Sequence, residues 1–161
     1  MNKEETEAHK KKVGVFSLTC DEGCSIMLTE FFNTKLLEWL DFMELFYFLS
    51  IKDHRPMENM DIALVEGVVS TEHDKDRLKD IRANTETLIA MGNCAITSMP
   101  SGQRNNFGEE KKERISPQIE KFSSLEECVP LKEIVDVEDE VAGCPINEVS
   151  FIEIFEKHLK N

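Results

Sequence analysis

Five cysteines, Cys20, Cys24, Cys94, Cys128 and Cys144, are the residues whose type and spacing could do chemistry in this sequence. An odd number, in a chain that is not short and shows no secretory signal, argues against a disulfide framework. Thiols that stay reduced serve as core residues, nucleophiles or metal ligands. Cys20 and Cys24 form a local pair separated by three residues, while Cys94 and Cys144 stand alone in Gly92-Asn93-Cys94 and Gly143-Cys144-Pro145. A cubane iron–sulfur cluster takes one protein thiolate per iron, four in all. A pair plus two singles supplies that number if the fold brings the loops together. Glycine beside a ligand lets backbone N–H groups approach the sulfurs and tune the potential, and Pro145 stiffens its turn. Cys128 sits in a charged segment without a glycine neighbour and reads as a small buried hydrophobe.

Other chemistries stay open on the residues alone. Structural zinc sites use two close pairs, and here one pair has a wider gap and two cysteines are single. A thioredoxin-like site needs C-x-x-C opening a helix, which three intervening residues fit poorly. A nucleophilic cysteine needs a base, yet His9, His54, His73 and His158 fall in the tail, a connection, a helix start and a last turn. Neither G-x-G-x-x-G nor a P-loop is present, which argues against a self-contained dehydrogenase or NTPase.

Composition narrows the partners. The 161 residues carry 19 Lys and Arg against 32 Asp and Glu, a net charge of −13, which disfavours nucleic acid because phosphate binding needs surplus cations. Forty per cent of the residues are apolar and ten are Phe, enough for one domain with its own core. No apolar run approaches the roughly 20 residues that span a bilayer. The opening MNKEETEAHKKK has no apolar h-region. These features lead to the expectation of a cytoplasmic chain with no direct membrane insertion.

The elements that must position the cysteines follow from hydrophobic pattern. Residues 1–11 are charged and unpatterned and read as a flexible N-terminal arm, leaving 12–161 as the domain. The apolar run 13–18 reads as a buried parallel strand. Leu28, Phe31, Phe32, Leu36 and Leu40 recur at helical spacing. Runs 42–49, 62–65 and 87–91 read as further strands, with 52–59 a connection. Ser70 or Thr71 caps a helix that turns Leu78 and Ile81 inward. The segment 98–127 turns polar and reads as a long irregular excursion with room for one short helix, a candidate contact for a second partner. Asn147 caps a final helix facing inward with Phe151, Ile152, Phe155 and Leu159. Strand–helix alternation of this kind means an α/β fold, a doubly wound parallel sheet. Ligands of such sheets bind outside the carboxyl ends of the strands, where Cys20 and Cys24, then Glu66 and Gly67, then Cys94 all fall.

Taken together, the motifs resemble a known family. Val13-Gly14-Val15-Phe16 leading into Cys20…Gly23-Cys24-Ser25 resembles the start of [NiFe]-hydrogenase small subunits. Ile62-Ala63-Leu64-Val65-Glu66-Gly67 resembles their "VEG" strand end, Met91-Gly92-Asn93-Cys94-Ala95 their "GxCA" segment, and Val141-Ala142-Gly143-Cys144-Pro145 their "PGCP" turn. The likeness runs from about residue 12 to 160, and the superfamily includes the roughly 20 kDa cluster subunit of NADH:quinone oxidoreductase. It departs at the first pair, where the hydrogenases usually have two residues between the cysteines.

The resemblance implies a flavodoxin-like sheet with helices on both faces, holding one [4Fe-4S] cluster on Cys20, Cys24, Cys94 and Cys144, with Gly23 and Gly143 beside it. It places Glu66 near the cluster and the subunit interface, against the plainer reading of a carboxylate capping a loop. It further implies an electron-relay role that is not itself catalytic. The nickel–iron centre belongs to a [NiFe] hydrogenase large subunit, and electrons pass to further iron–sulfur or flavin subunits of diaphorase or ferredoxin-like type. Two alternatives accompany it: a cluster subunit of a quinone-reductase-like or ferredoxin-linked complex, and a zinc-binding structural module.

Overall fold

Apolar runs too short for helices form the middle of the molecule. The computed structural model describes residues 10–48 and 57–160. Along the chain come β1 (Lys11–Ser17), α1 (Gly23–Trp39), β2 (Met43–Phe48), β3 (Met60–Glu66), β4 (Val69–Thr71), α2 (Glu72–Ala83) and β5 (Thr85–Met91). These are followed by α3 (Gly92–Thr97), α4 (Glu109–Lys121), β6 (Ser124–Val129), β7 (Asp139–Val141) and α5 (Glu148–Leu159), with one-turn 3-10 helices at Gln103–Asn106 and Leu131–Glu133. Five strands make one sheet in the order β2-β1-β3-β5-β7, every neighbouring pair parallel. Counted along the chain, the sheet strands lie 2-1-3-4-5, the flavodoxin-like order.

Strand side chains alternate between faces. Val13, Val15, Ile62, Leu64, Ile89 and Met91 pack with Leu28 and Phe31 of α1 and Phe151 and Phe155 of α5. Ala63, Val65, Leu88 and Ala90 pack with Leu78 and Ile81 of α2 and Ala95 of α3. Helices therefore cover both faces, as expected. Trp39 is fully buried at the end of α1. It meets Phe151 and Phe155 edge-on at 6.1 and 5.0 Å, and its Nε1–H donates to Glu156 at 3.1 Å, the partner that a buried indole needs. Thr71 is the N-cap of α2 and forms a reciprocal capping box with Asp74. Asn147 caps α5 by accepting from the Ser150 N–H.

Several expectations change. The segment 98–127 is not irregular: it holds a 3-10 turn, the 13-residue α4 and most of β6, which pairs antiparallel with β4 as a separate two-stranded sheet. No residue of α4 is buried, so its sequence lacks the apolar stripe by which a helix is read. The strand β7 is unforeseen, because in Asp139-Glu140-Val141 only Val141 is buried. β1 begins at Lys11, inside the stretch assigned to the arm. Residues 1–9 of that arm, Leu49 at the end of the second strand, His54 and most of the 52–59 connection lie outside the described residues. Among the described residues no helix is long and apolar enough to cross a membrane.

The edge strand β7 is tied to α5 through Asp139, whose Oδ2 accepts from Lys157 Nζ at 2.8 Å and His158 Nε2 at 2.9 Å. Burial pushes this carboxyl up, but the Lys157 and His158 hydrogen bonds and the Glu140 backbone N–H hold it below its ordinary value. A carboxylate held low stabilises the fold above its unfolded value near 3.9 and loses that contribution as pH falls through the folded value. Asp139→Asn is therefore expected to lower the unfolding free energy by about 0.5–1 kcal/mol at pH 7. The gap from wild type should begin to narrow near pH 4 and close as the pH falls through the lower folded value. Urea melts at pH 7 and pH 3 measure both effects.

Candidate metal centre

Parallel pairing delivers the ends of β1, β3, β5 and β7 to one edge of the sheet. β1 leads into the loop of Cys20 and α1 opens at Gly23, one residue before Cys24. β3 ends at Glu66, followed by Gly67. β5 runs into Gly92, which opens α3 with Cys94 in its first turn. β7 hands over to a turn closed by a Gly143–Ile146 bridge, with Cys144 and Pro145 at its tip. The neighbours β1 and β3 are followed by helices on opposite faces, α1 and α2, and a crevice opens at such a switch point. A cavity of about 120 Å3, open to solvent, lies there. Its walls include Cys20, Cys24, Cys94, Cys144, Asp21, Gly23, Glu66, Asn93 and Gly143. All four cysteines are free thiols, Cys144 exposed and the other three half-buried. Among the described residues no three His, Cys, Asp or Glu side chains converge as a single-ion site.

Glu66 is 1% exposed and sits where α1 needs an acceptor. The N-cap residue Glu22 is left-handed (φ 60°) and makes no side-chain cap. Glu66 Oε2 instead takes the N–H groups of Cys24 and Ser25 at 3.1 and 3.3 Å. Its Oε1 accepts from Ser17 Oγ at 2.8 Å and from Ser25 Oγ. A carboxylate at a helix N-terminus meets unsatisfied N–H groups and the positive end of the dipole. Of the two readings of Glu66, the geometry supports the cap directly, and the same carboxylate lines the cavity.

The amides that face sulfur differ from expectation. Glu22 N–H points at Cys20 Sγ, 3.4 Å away, and the Ile146 backbone N–H exerts a downward pull on the Cys24 thiol. The glycine amides are spent elsewhere: Gly23 N–H donates to Asp21 Oδ1 at 3.1 Å, and Gly143 N–H to Asn93 Oδ1 at 2.9 Å. Glycine supplies room instead. At Gly92 (φ +84°) a Cβ would lie 2.4 Å from Cys24 Sγ, so a larger residue would push that sulfur aside. Burial pushes the Cys20 and Cys24 thiols up to about 12, against the pull of the Glu22 and Ile146 amides and with the Glu66 carboxylate adding to the rise. Both therefore stay protonated at neutral pH, and a metal taken up there would have to displace their protons. Cys94 Sγ lies 3.2 Å from Ser101 Oγ.

Cys128 is away from this wall. It is 3% exposed on β6, and Asn105 holds both its N–H and its C=O at 2.7 Å. Burial pushes its thiol up as well. His73 and His158 are also absent from the cavity walls.

Two positioning groups escaped the sequence reading. The buried Asp74 carboxylate accepts from Thr19 Oγ1 at 2.8 Å and from the Ser70 and Thr71 N–H groups at 3.1 and 3.2 Å. Thr19 pairs with Val68 through backbone bonds of 3.3 and 3.0 Å, which fixes the residue before Cys20. The helix cap at Thr71 was the only signal pointing to Asp74. Asn93, joined to Gly143, gave none.

Comparison with known proteins agrees with this geometry. The model of the family described as NADH ubiquinone oxidoreductase, 20 Kd subunit, matches residues 20–158. Sulfhydrogenase 2 subunit delta of Pyrococcus furiosus is 34% identical over 143 residues, covering 89% of this chain and 60% of its own length. A subunit of the F420-non-reducing hydrogenase vhu of Methanocaldococcus jannaschii is 33% identical over 150 residues, covering 83% and 51%. The chain thus spans between half and three-fifths of the length of these curated relatives. A chain of an NAD+-reducing [NiFe]-hydrogenase, in the H2-reduced state, superposes with a TM-score of 0.76 at 25% identity, over 95% of this chain and 93% of that one.

Removing the acceptor at position 66 should expose how much the α1 terminus depends on it. Glu66→Ala leaves two backbone N–H groups and two hydroxyls without their partner and is expected to cost about 1–3 kcal/mol. Glu66→Gln keeps one acceptor oxygen and should recover part of that loss. Denaturant melts of the metal-free chain compare the two variants.

Proposed function

The chain belongs to the family of the NADH ubiquinone oxidoreductase 20 Kd subunit, and on that premise we propose that it is the electron-relay small subunit of a [NiFe] hydrogenase complex. Its hydrogenase-subunit relatives support the hydrogenase assignment. The observation that carries the relay role is the meeting of Cys20, Cys24, Cys94 and Cys144, four free thiols from three separate loops, around one open cavity. A cubane distributes its protein ligands over its corners, one thiolate to each iron, so thiols spread over the cavity walls suit a [4Fe-4S] cluster. When bound, the cluster supplies one-electron transfer.

The rest of the work falls to the chain's own residues. Glu66 fixes the backbone at Cys24, and the Glu22 amide donates toward the Cys20 sulfur. Asp21 and Glu66 keep negative charge at the cavity, which disfavours an added electron and holds the potential low, as exchange with hydrogen requires. Gly92 leaves room for the Cys24 sulfur, and Gly143 (φ +135°) lets the turn that carries Cys144 close against Pro145 and Ile146. The exposed Cys144 side is the face a large subunit with the nickel–iron centre would cover, with diaphorase or ferredoxin-like subunits receiving the electrons, in a cytoplasmic assembly. The family description favours a second reading of the partner, a quinone-reductase-like complex. A companion large subunit with two C-x-x-C nickel-binding pairs decides for hydrogenase, and loss of those pairs decides for the other.

Two measurements test the proposal. Protein purified with its partners without air should be brown and give a reduced-cluster EPR signal after dithionite; a colourless protein with about one zinc per chain would end it. Cys94→Ser and Cys144→Ser should each abolish cluster loading while Cys128→Ser leaves iron content unchanged. Equal loss in all three would refute the ligand assignment.

A further inference from the structure

The walls that carry Cys94 and Cys144 come from segments 50 residues apart, and one residue joins them through its backbone and its side chain. Asn93 N–H donates to the Gly143 carbonyl at 2.8 Å, and Asn93 Oδ1 accepts from the Gly143 N–H at 2.9 Å. Both bonds fall on the residue immediately before a cysteine. They lie just past the last parallel pair of β5 and β7, Met91 with Val141. There β5 turns into α3, and the Asn93 carbonyl is taken by Thr97 Oγ1 at 2.8 Å. The side-chain oxygen therefore provides the acceptor that a continuing strand would have offered to β7. Gly143 in turn bridges to Ile146, and Gly92 on the other side of Asn93 leaves room for the Cys24 sulfur.

We infer that Asn93 is a positioning residue that sets the separation of Cys94 and Cys144 in the metal-free chain, so that the cavity is preformed when iron arrives. The inference rests on the cluster reading above. Ligand walls fixed by outer hydrogen bonds hold metal more tightly, and loss of such a partner typically costs about 10–100-fold in affinity. Asn93→Ala removes the side-chain acceptor and strands the Gly143 N–H, whereas Asn93→Asp keeps an oxygen there. Asn105 provides the control: its side chain makes both bonds of a clasp on Cys128, outside the cavity, so Asn105→Ala removes more hydrogen bonding than Asn93→Ala does.

The experiment reconstitutes the 161-residue chain and its variants with iron and sulfide, then follows iron loss to a chelator by visible absorption, alongside thermal melts. Asn93→Ala should lose iron about tenfold faster than wild type and Asn93→Asp at close to the wild-type rate. Asn105→Ala should melt lower yet keep iron as wild type does. Wild-type retention in Asn93→Ala, or equally fast loss from Asn105→Ala, overturns the inference. If the wild-type chain takes up no iron, the cluster reading itself fails. The clasp is then judged in the metal-free chain by amide exchange at Gly143, where unchanged protection in Asn93→Ala overturns it and faster exchange upholds it.

Discussion

Parallel pairing obliges every strand of the sheet to leave by the same edge. That constraint turns residues 20, 24, 94 and 144, remote in sequence, into neighbours. It acts before any specific contact, because crossovers between parallel strands must return each chain segment to the same starting side. The order β2-β1-β3-β5-β7 then adds a second condition. β1 and β3 lie side by side but feed helices on opposite faces, so their exits diverge and a crevice is left between them. In this molecule the crevice is lined by thiols on loops from both flanks.

Buried acidic groups complete the frame around that crevice. Burying a carboxylate is costly unless its oxygens are bonded, and both Glu66 and Asp74 are bonded by hydroxyls and backbone N–H groups. Each ties one loop to another part of the chain. Glu66 connects the end of β3 to the start of α1 across 42 residues. Asp74 connects the start of α2 to the segment before Cys20 across 55 residues. The loops of the site are thereby held by buried carboxylates, and the helix α1 begins without a cap of its own.

Much of this was legible in the residue order because the relevant elements are buried on both faces. The runs at β1, β3 and β5 are continuously apolar, and α1 shows its inward stripe through Leu28, Phe31, Phe32 and Leu36. The cysteines could be singled out because a reactive thiol is a matter of residue type, wherever it occurs. What escaped was structure maintained by neighbours instead of by pattern. β7 is a polar edge of three residues with one inward side chain. α4 has no buried residue, and β4 with β6 is too short and too mixed to alternate clearly. Hydrogen bonds between distant loops, such as that from Gly143 to Asn93, leave no local signature. The glycines were noted beside the sulfurs, but only coordinates distinguish an amide aimed at sulfur from a missing Cβ that makes space for it.

The place of β7 as the last strand of the sheet has a bearing on how the molecule is made. A chain emerging from the ribosome grows by roughly 5–20 residues each second, so the strands β1, β3 and β5 can pair while the segment beyond them is still being synthesised. Until the stretch carrying residue 144 follows, the crevice has only three sides and lies open along the flank of β5. Anything requiring all four thiols must wait until that stretch has emerged and paired. If the four thiols hold the proposed cluster, its insertion would come after the rest of the sheet has formed, with the pairing of β7 against β5 as the timing gate.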